Sequence, residues 1–206
     1  MIDRETLADW IVHTVGLVAG LVGSVGLLAM AINFPAGAPL LPISVYVAGL
    51  LAMLVCSALY HMLRSHPRRD WLRRLDHAAI FVMIAGTYTP IAVLGLERPW
   101  DLAMILTVWV VAAVGVVLKL IRPRAIERVS VALYLMLGWI GLFALQQLWI
   151  SLPVRVLVMI LLGGLVYSAG VLFHLSMSRY SRALWHGCVL VGAAFHYVAI
   201  AALVTT

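Results

Sequence analysis

From Trp10 to Leu63 the chain carries no Asp, Glu, Lys or Arg. An uncharged apolar stretch of this length is not a helix of a water-soluble domain. A transmembrane helix takes about 20 apolar residues, so the stretch divides into two spans. The cluster Asn33-Phe34-Pro35-Ala36-Gly37-Ala38-Pro39 marks the division, because Pro and Gly punctuate helices. The rest of the chain continues the pattern. Of its 206 residues, 65% are hydrophobic and 11% charged, against about 45–50% and roughly 25% in soluble domains. Disorder, a disulfide scaffold and a soluble cytosolic enzyme are thereby excluded. Cys56 and Cys188 lie inside apolar stretches without a CxxC spacing, as buried packing residues do.

The expected fold is all-α: an integral membrane protein built as a seven-transmembrane helix bundle, one membrane domain over residues 1–206. Its helices are expected near 11–32, 41–63, 75–96, 100–119, 129–150, 154–177 and 183–205. The first segment is led by Asp3, Arg4, Glu5 and Asp9, not by a basic region, and its apolar run exceeds that of a signal peptide, so it reads as a retained helix. Gly16, Gly20 and Gly23 share one face of this helix. Small residues at such spacing allow close helix approach, here expected within the chain.

The net charge of +6 reflects topology. Twelve of the fourteen basic residues, among them Arg64, Arg68, Arg69, Arg73, Arg74, Lys119, Arg122, Arg124, Arg128, Arg179 and Arg182, fall on the side of the N-terminus. Only Arg98 and Arg155 fall on the other. Cytoplasmic segments collect Lys and Arg, so the N-terminus is expected in the cytoplasm and the C-terminus outside. The basic residues then face anionic lipid, and no nucleic-acid partner is expected.

Ionisable residues inside spans are costly and are functional candidates by default. They are His13, His61, Asp76, His77, His174, His186 and His196. His61 ends the second helix, Asp76 opens the third, and His186 lies about one turn into the seventh, so the three share one layer. His196 is about 15 Å deeper along its helix than His186 at 1.5 Å per residue. His66 stands in a loop beside Pro67. Two imidazoles and a carboxylate in one buried layer suit zinc. Ser57, one helical turn before His61, is placed to bond a water or a ligand histidine. On spacing alone a packing role for each histidine stays open.

Ser57-Ala58-Leu59-Tyr60-His61, Leu75-Asp76-His77-Ala78-Ala79-Ile80, Ala85-Gly86-Thr87-Tyr88-Thr89-Pro90, Gly163-Gly164-Leu165-Val166-Tyr167-Ser168-Ala169-Gly170 and Leu184-Trp185-His186 occur in that order. With them the chain resembles the bacterial hemolysin III family, part of the progestin and adipoQ receptor family and of a superfamily that includes alkaline ceramidases. Glu5 and His13 resemble that family's first-helix pattern. The resemblance implies a zinc site near the cytoplasmic face. His61 and His186 would be ligands, and Asp76 would hold a metal-bound water. It also implies a histidine at position 182, where this chain has Arg. Arginine offers no lone pair. Three readings follow: Asp76 joins His61 and His186 as the metal set, His174 supplies the missing imidazole, or Arg182 pairs with Asp76 in place of a metal.

The function implied is a hemolysin III-like membrane protein with a zinc site, acting on a lipid amide, with Asp76 as general base and Ser57 positioning. The alternatives are a non-enzymatic regulator or receptor of membrane state, and lysis through membrane perturbation or pore formation. Membrane lipids are the expected partners, and the bacterial inner membrane the expected location.

Overall fold

A computed structural model describes residues 3–34, 39–122 and 129–205. Among these, seven helical segments are long and apolar enough to cross a membrane. They are α1 (Arg4–Asn33), α2 (Leu40–Met62), α3 (Arg69–Gly95), α4 (Trp100–Ile121), a fifth segment made of α5 (Ser130–Gly138), a 3-10 turn (Ile140–Ala144) and α6 (Leu145–Ser151), then α7 (Val154–His174) and α8 (Ser181–Val204). Short connections make successive spans antiparallel. The starts of α1, α3, α5 and α8 and the ends of α2, α4 and α7 therefore meet at one end of the bundle. Residues 35–38 of the first break, and Arg124 and Arg128 of the basic set, lie outside the described residues.

Two helices begin earlier than the hydropathy pattern suggests. α1 starts at Arg4, not near residue 11. Asp3 caps it, accepting from the Thr6 amide at 2.7 Å and the Thr6 hydroxyl at 2.8 Å. These bonds hold the exposed Asp3 carboxyl below its ordinary pKa. Such a cap satisfies an amide that the helix itself leaves unpaired. α3 starts at Arg69, not near 75. Its charged first turns bind outward: Arg74 donates to the Leu120 carbonyl at 2.8 Å, closing the end of α4.

The fifth span is broken where a continuous helix over 129–150 was expected. Gly138 and Gly141 stabilise a helix poorly, and the chain turns through Trp139 into a short 3-10 stretch. Broken backbone inside a membrane must find partners in the protein. Tyr88 of α3 supplies both. Its hydroxyl donates to the Gly138 carbonyl at 2.6 Å and accepts from the Gly141 amide at 3.0 Å.

α3 is the most enclosed span. It crosses α2 where glycines meet: a Cβ on Gly86 would stand 3.2 Å from the Val45 carbonyl, and one on Gly49 3.1 Å from that of Val82. α1 is the reverse. Val15, Val18, Val22 and Val25 are exposed, toward lipid, while Asp9, His13, Gly16, Ser24, Leu27 and Ala31 form its buried seam. Gly16 and Gly20 pack on Leu54, and Gly23 on Tyr197, so this glycine face packs within the chain. A soluble amphipathic helix points its polar side out. Here the polar side points in, because the solvent is lipid.

Candidate metal centre

The seam of α1 carries Asp9 and His13 one turn apart, into the end of the bundle where α2 finishes and α8 starts. His61 and His186 reach the same point from those helices. One ligand atom from each of Asp9, His13, His61 and His186 lies within 4.8 Å of the others. Asp9 is fully buried. Its Oδ1 lies 2.6 Å from His186 Nδ1 and 3.7 Å from His13 Nε2, and its Oδ2 lies 3.4 Å from His61 Nδ1. The three imidazoles crowd each other: His13 and His61 stack at 5.0 Å between centroids, and His186 lies 4.3 Å from His13 and 4.4 Å from His61.

The group is able to hold a metal ion, and its hydrogen bonding supports that use. Asp9 Oδ2 and His13 Nε2 are buried and make no well-aligned hydrogen bond, their nearest polar neighbours being His61 Nδ1 at 3.4 Å and Asp9 Oδ1 at 3.7 Å. Leaving a buried polar atom unpaired costs about 1–3 kcal/mol, more when charged. Three imidazoles and one carboxylate are the donor set of a divalent transition metal, and a cation among them would engage both orphaned atoms.

His61 and His186, expected to converge, do so, and with Asp76 they line one cavity. Asp76 stands on the far side of the His61 ring from Asp9: Oδ2 is 4.0 Å from His61 Nε2. Ser57 lines the same cavity, its hydroxyl toward Asp76. The cavity holds about 660 Å³. Its walls run from this polar end past Met53, Ile80, Ile84 and Leu157 to Leu148 and Val154.

Arg182 does not pair with Asp76. Its Nη2 is 3.6 Å from Glu5 Oε1. The reason is a register between α1 and α8, which both start at this end. Glu5 and Asp9 are one turn apart on α1, Arg182 and His186 one turn apart on α8, and the helices meet as two acid–base rungs. The outer rung, Glu5–Arg182, is half exposed; the inner, Asp9–His186, is buried. His174 does not replace the missing imidazole among the four. It packs against Trp185 at 5.0 Å. His196 is held by the Ile160 carbonyl at 3.1 Å, and His77 lies 3.3 Å from the buried Lys119 amine.

The expected metal set of His61, His186 and Asp76 differs from the group found: Asp76 stands outside it, His13 joins it, and Asp9 is absent from the sequence candidates altogether. Placing the first helix near residue 11 leaves Asp9 outside the span, among the residues that lead into it. The signal was the spacing Glu5, Asp9, His13, a polar stripe at every fourth residue, with Gly16 three residues further along the same face.

Residues 1–197 match the family model described as Haemolysin-III related. The chain is 30% identical to a Hemolysin-3 homolog of Bacillus subtilis (strain 168), over 93% of this chain and 90% of that one. It is 28% identical to Hemolysin-3 of Bacillus cereus over 96% and 90%. It is also 30% identical to the Heptahelical transmembrane protein ADIPOR2 of Oryza sativa subsp. japonica, over 80% and 82%.

Proposed function

The chain belongs to the haemolysin-III-related family and is a multi-pass bacterial membrane protein, and we propose that it is a zinc-dependent hydrolase of membrane lipid amides. The observation that carries this reading is the pair of orphaned buried atoms, Asp9 Oδ2 and His13 Nε2, inside a four-residue donor group at the head of an apolar cavity. Asp9, His13, His61 and His186 would hold the ion. A zinc ion held there would supply Lewis-acid polarisation of a carbonyl and a lowered pKa for water.

The remaining work falls to residues of the chain. His61 faces Asp9 with Nδ1 and Asp76 with Nε2, so its ring stands between the two carboxylates, with Asp76 at ion-pair distance and beyond a hydrogen bond. Asp76 also lies on the cavity wall, beyond the His61 ring from the donor group, where it would serve as a proton acceptor for a water that enters the cavity. Ser57 holds the Asp76 carboxylate in place. The apolar walls receive an acyl chain and exclude water; the volume lies within the range of about 300–1,000 Å³ common for ligand cavities. We place the metal end of the bundle toward the cytoplasm, because the basic residues collect there.

One observation favours a second reading. Four protein donors close a tetrahedral shell, as structural zinc sites do, whereas catalytic sites keep a position open. In that reading the ion fastens α1 to α2 and α8, and the protein is a non-enzymatic regulator of membrane state. The test is fatty-acid release from an N-acyl lipid by the reconstituted protein, with metal content measured on the same samples. Turnover that is lost in Asp76→Asn while zinc is retained supports the hydrolase. A zinc-loaded wild type without turnover on any N-acyl lipid refutes it and leaves the structural ion.

A further inference from the structure

Lys119 is the single lysine of the chain, and it breaks the rule for its place. It lies in the last turn of α4, where a long basic side chain ordinarily snorkels out to the lipid headgroups. Here it turns inward and is 1% exposed. The packing of α4 on α3 carries it there. One turn earlier, a Cβ on Gly115 would stand 2.5 Å from the Phe81 ring, so the two helices meet at close range. The next pair in the same antiparallel register is Lys119 with His77. A charged amine drawn into a membrane bundle is costly, and a functional role is the first explanation to consider.

The amine is spent on His77. Lys119 Nζ lies 3.3 Å from His77 Nδ1 and donates to Ser130 Oγ at 3.0 Å. Tyr134 of α5 donates to the His77 carbonyl at 2.9 Å, so residues of three helices hold this turn of α3. An ammonium has donors only. Its contact makes Nδ1 the acceptor, so the imidazole is neutral and its proton sits on Nε2. Among the described residues Nε2 has no hydrogen-bond partner. His77 lines the large cavity together with Asp76, its neighbour in the chain, while Lys119 is not part of the wall. The polar end of the cavity therefore combines an acceptor, the Asp76 carboxylate, with a neutral N–H donor. A carboxylate alone would repel the oxygen of an acyl group, whereas a fixed N–H is what that oxygen accepts from.

We propose that His77 donates from Nε2 to the carbonyl oxygen of an acyl ligand in the large cavity, and that Lys119 is the positioning residue that sets this tautomer. The ligand class rests on the lipid-amide reading above; the hydrogen bond itself needs neither metal nor turnover.

Two measurements on the full chain in uncharged micelles test this. The first is nitrogen NMR of protein isotopically labelled at histidine, with the His77 signals identified by their absence in His77→Gln. A protonated Nε2 and an unprotonated Nδ1 are expected in wild type, and a mixture of tautomers in Lys119→Met. The second is binding of N-butyl palmitamide, with an unbranched alkane of matched length as the carbonyl-free control. His77→Phe should weaken the amide about fivefold, as one neutral hydrogen bond contributes. His77→Gln, which keeps an N–H donor, should recover most of that loss. Lys119→Met should lose less than His77→Phe, and alkane binding should be unchanged throughout. A proton on Nδ1 in wild type, a tautomer indifferent to Lys119→Met, an amide affinity indifferent to His77→Phe, or equal losses of amide and alkane overturn the proposal. Amide binding that depends on His77 without any turnover upholds it and refutes the hydrolase reading; turnover with binding indifferent to His77 does the reverse.

Discussion

Two sets of buried polar groups occupy this bundle, and they are treated differently. Deep in the membrane region, His196 bonds the Ile160 carbonyl, Tyr197 the Gly23 carbonyl at 3.0 Å, Trp109 the Thr89 hydroxyl at 3.0 Å, and Tyr88 both sides of the broken fifth span. Each of these has a partner and joins two helices. At the end where α1 and α8 begin, Asp9, His13, His61 and His186 converge with atoms left over. Other buried atoms without a partner, among them the Tyr46 hydroxyl and Ser24, lie outside this donor group. Convergence of several metal-ligating side chains with incomplete pairing is what separates this site from a strut.

The largest expected effect breaks the convergent set. His61→Ala removes one donor of four and should lower zinc affinity by at least about 100-fold, read by competition with a chelator. His196→Ala, in the paired set, should leave zinc affinity unchanged and lower stability instead. Equal zinc loss in both would erase the distinction between the two regions.

A second experiment sharpens the role of the α1–α8 register. Asp9→Asn should lower zinc content, and adding Arg182→His in that background should restore part of it, because an imidazole one turn from His186 lies on the same face. No gain from Arg182→His, with the protein folded, would show that position 182 does not reach the ion.

The membrane half of this comparison was legible early. The uncharged run from Trp10 to Leu63 and the polar breaks after it establish the number of spans and their approximate ends. His61, Asp76 and His186 were legible as one layer, because depth follows from position along a span. Asp9 was not. Charge near an apolar boundary reads as loop, and only the Asp3 cap shows that the helix has already begun. The Glu5–Arg182 pair was equally hidden, since it depends on α1 and α8 being neighbours in register. The break at Trp139 has a local signal in Gly138 and Gly141, but its stability rests on Tyr88, fifty residues away in sequence.

Orientation offers a further check on the metal end. Reporter fusions after residues 70 and 180 should read cytoplasmic, as the clustering of basic residues requires; a periplasmic reading at either reverses the bundle. In the paired set, Tyr88→Phe removes both bonds at the break and should destabilise the protein by about 1–2 kcal/mol, measured by unfolding in mixed micelles. No loss would mean that water reaches the broken backbone.

The smallest effect concerns the cap that begins α1. The Asp3 carboxyl is held below its ordinary value of 3.8 by the Thr6 amide. A depressed folded pKa stabilises above the unfolded value and is lost as pH falls through the folded one. Docking of α1, followed by amide exchange at Thr6 and Leu7, should therefore weaken below about pH 4 in wild type, and Asp3→Ala should abolish that pH dependence.

Zinc content of Asp9→Asn against Asp76→Asn, at matched purity, tests the ligand assignment most directly. Wild type should carry about one zinc per chain, Asp9→Asn far less, and Asp76→Asn close to the wild-type amount. Retention in Asp9→Asn with loss in Asp76→Asn would move the ion to the other side of the His61 ring and contradict the assignment of Asp9 as its carboxylate ligand.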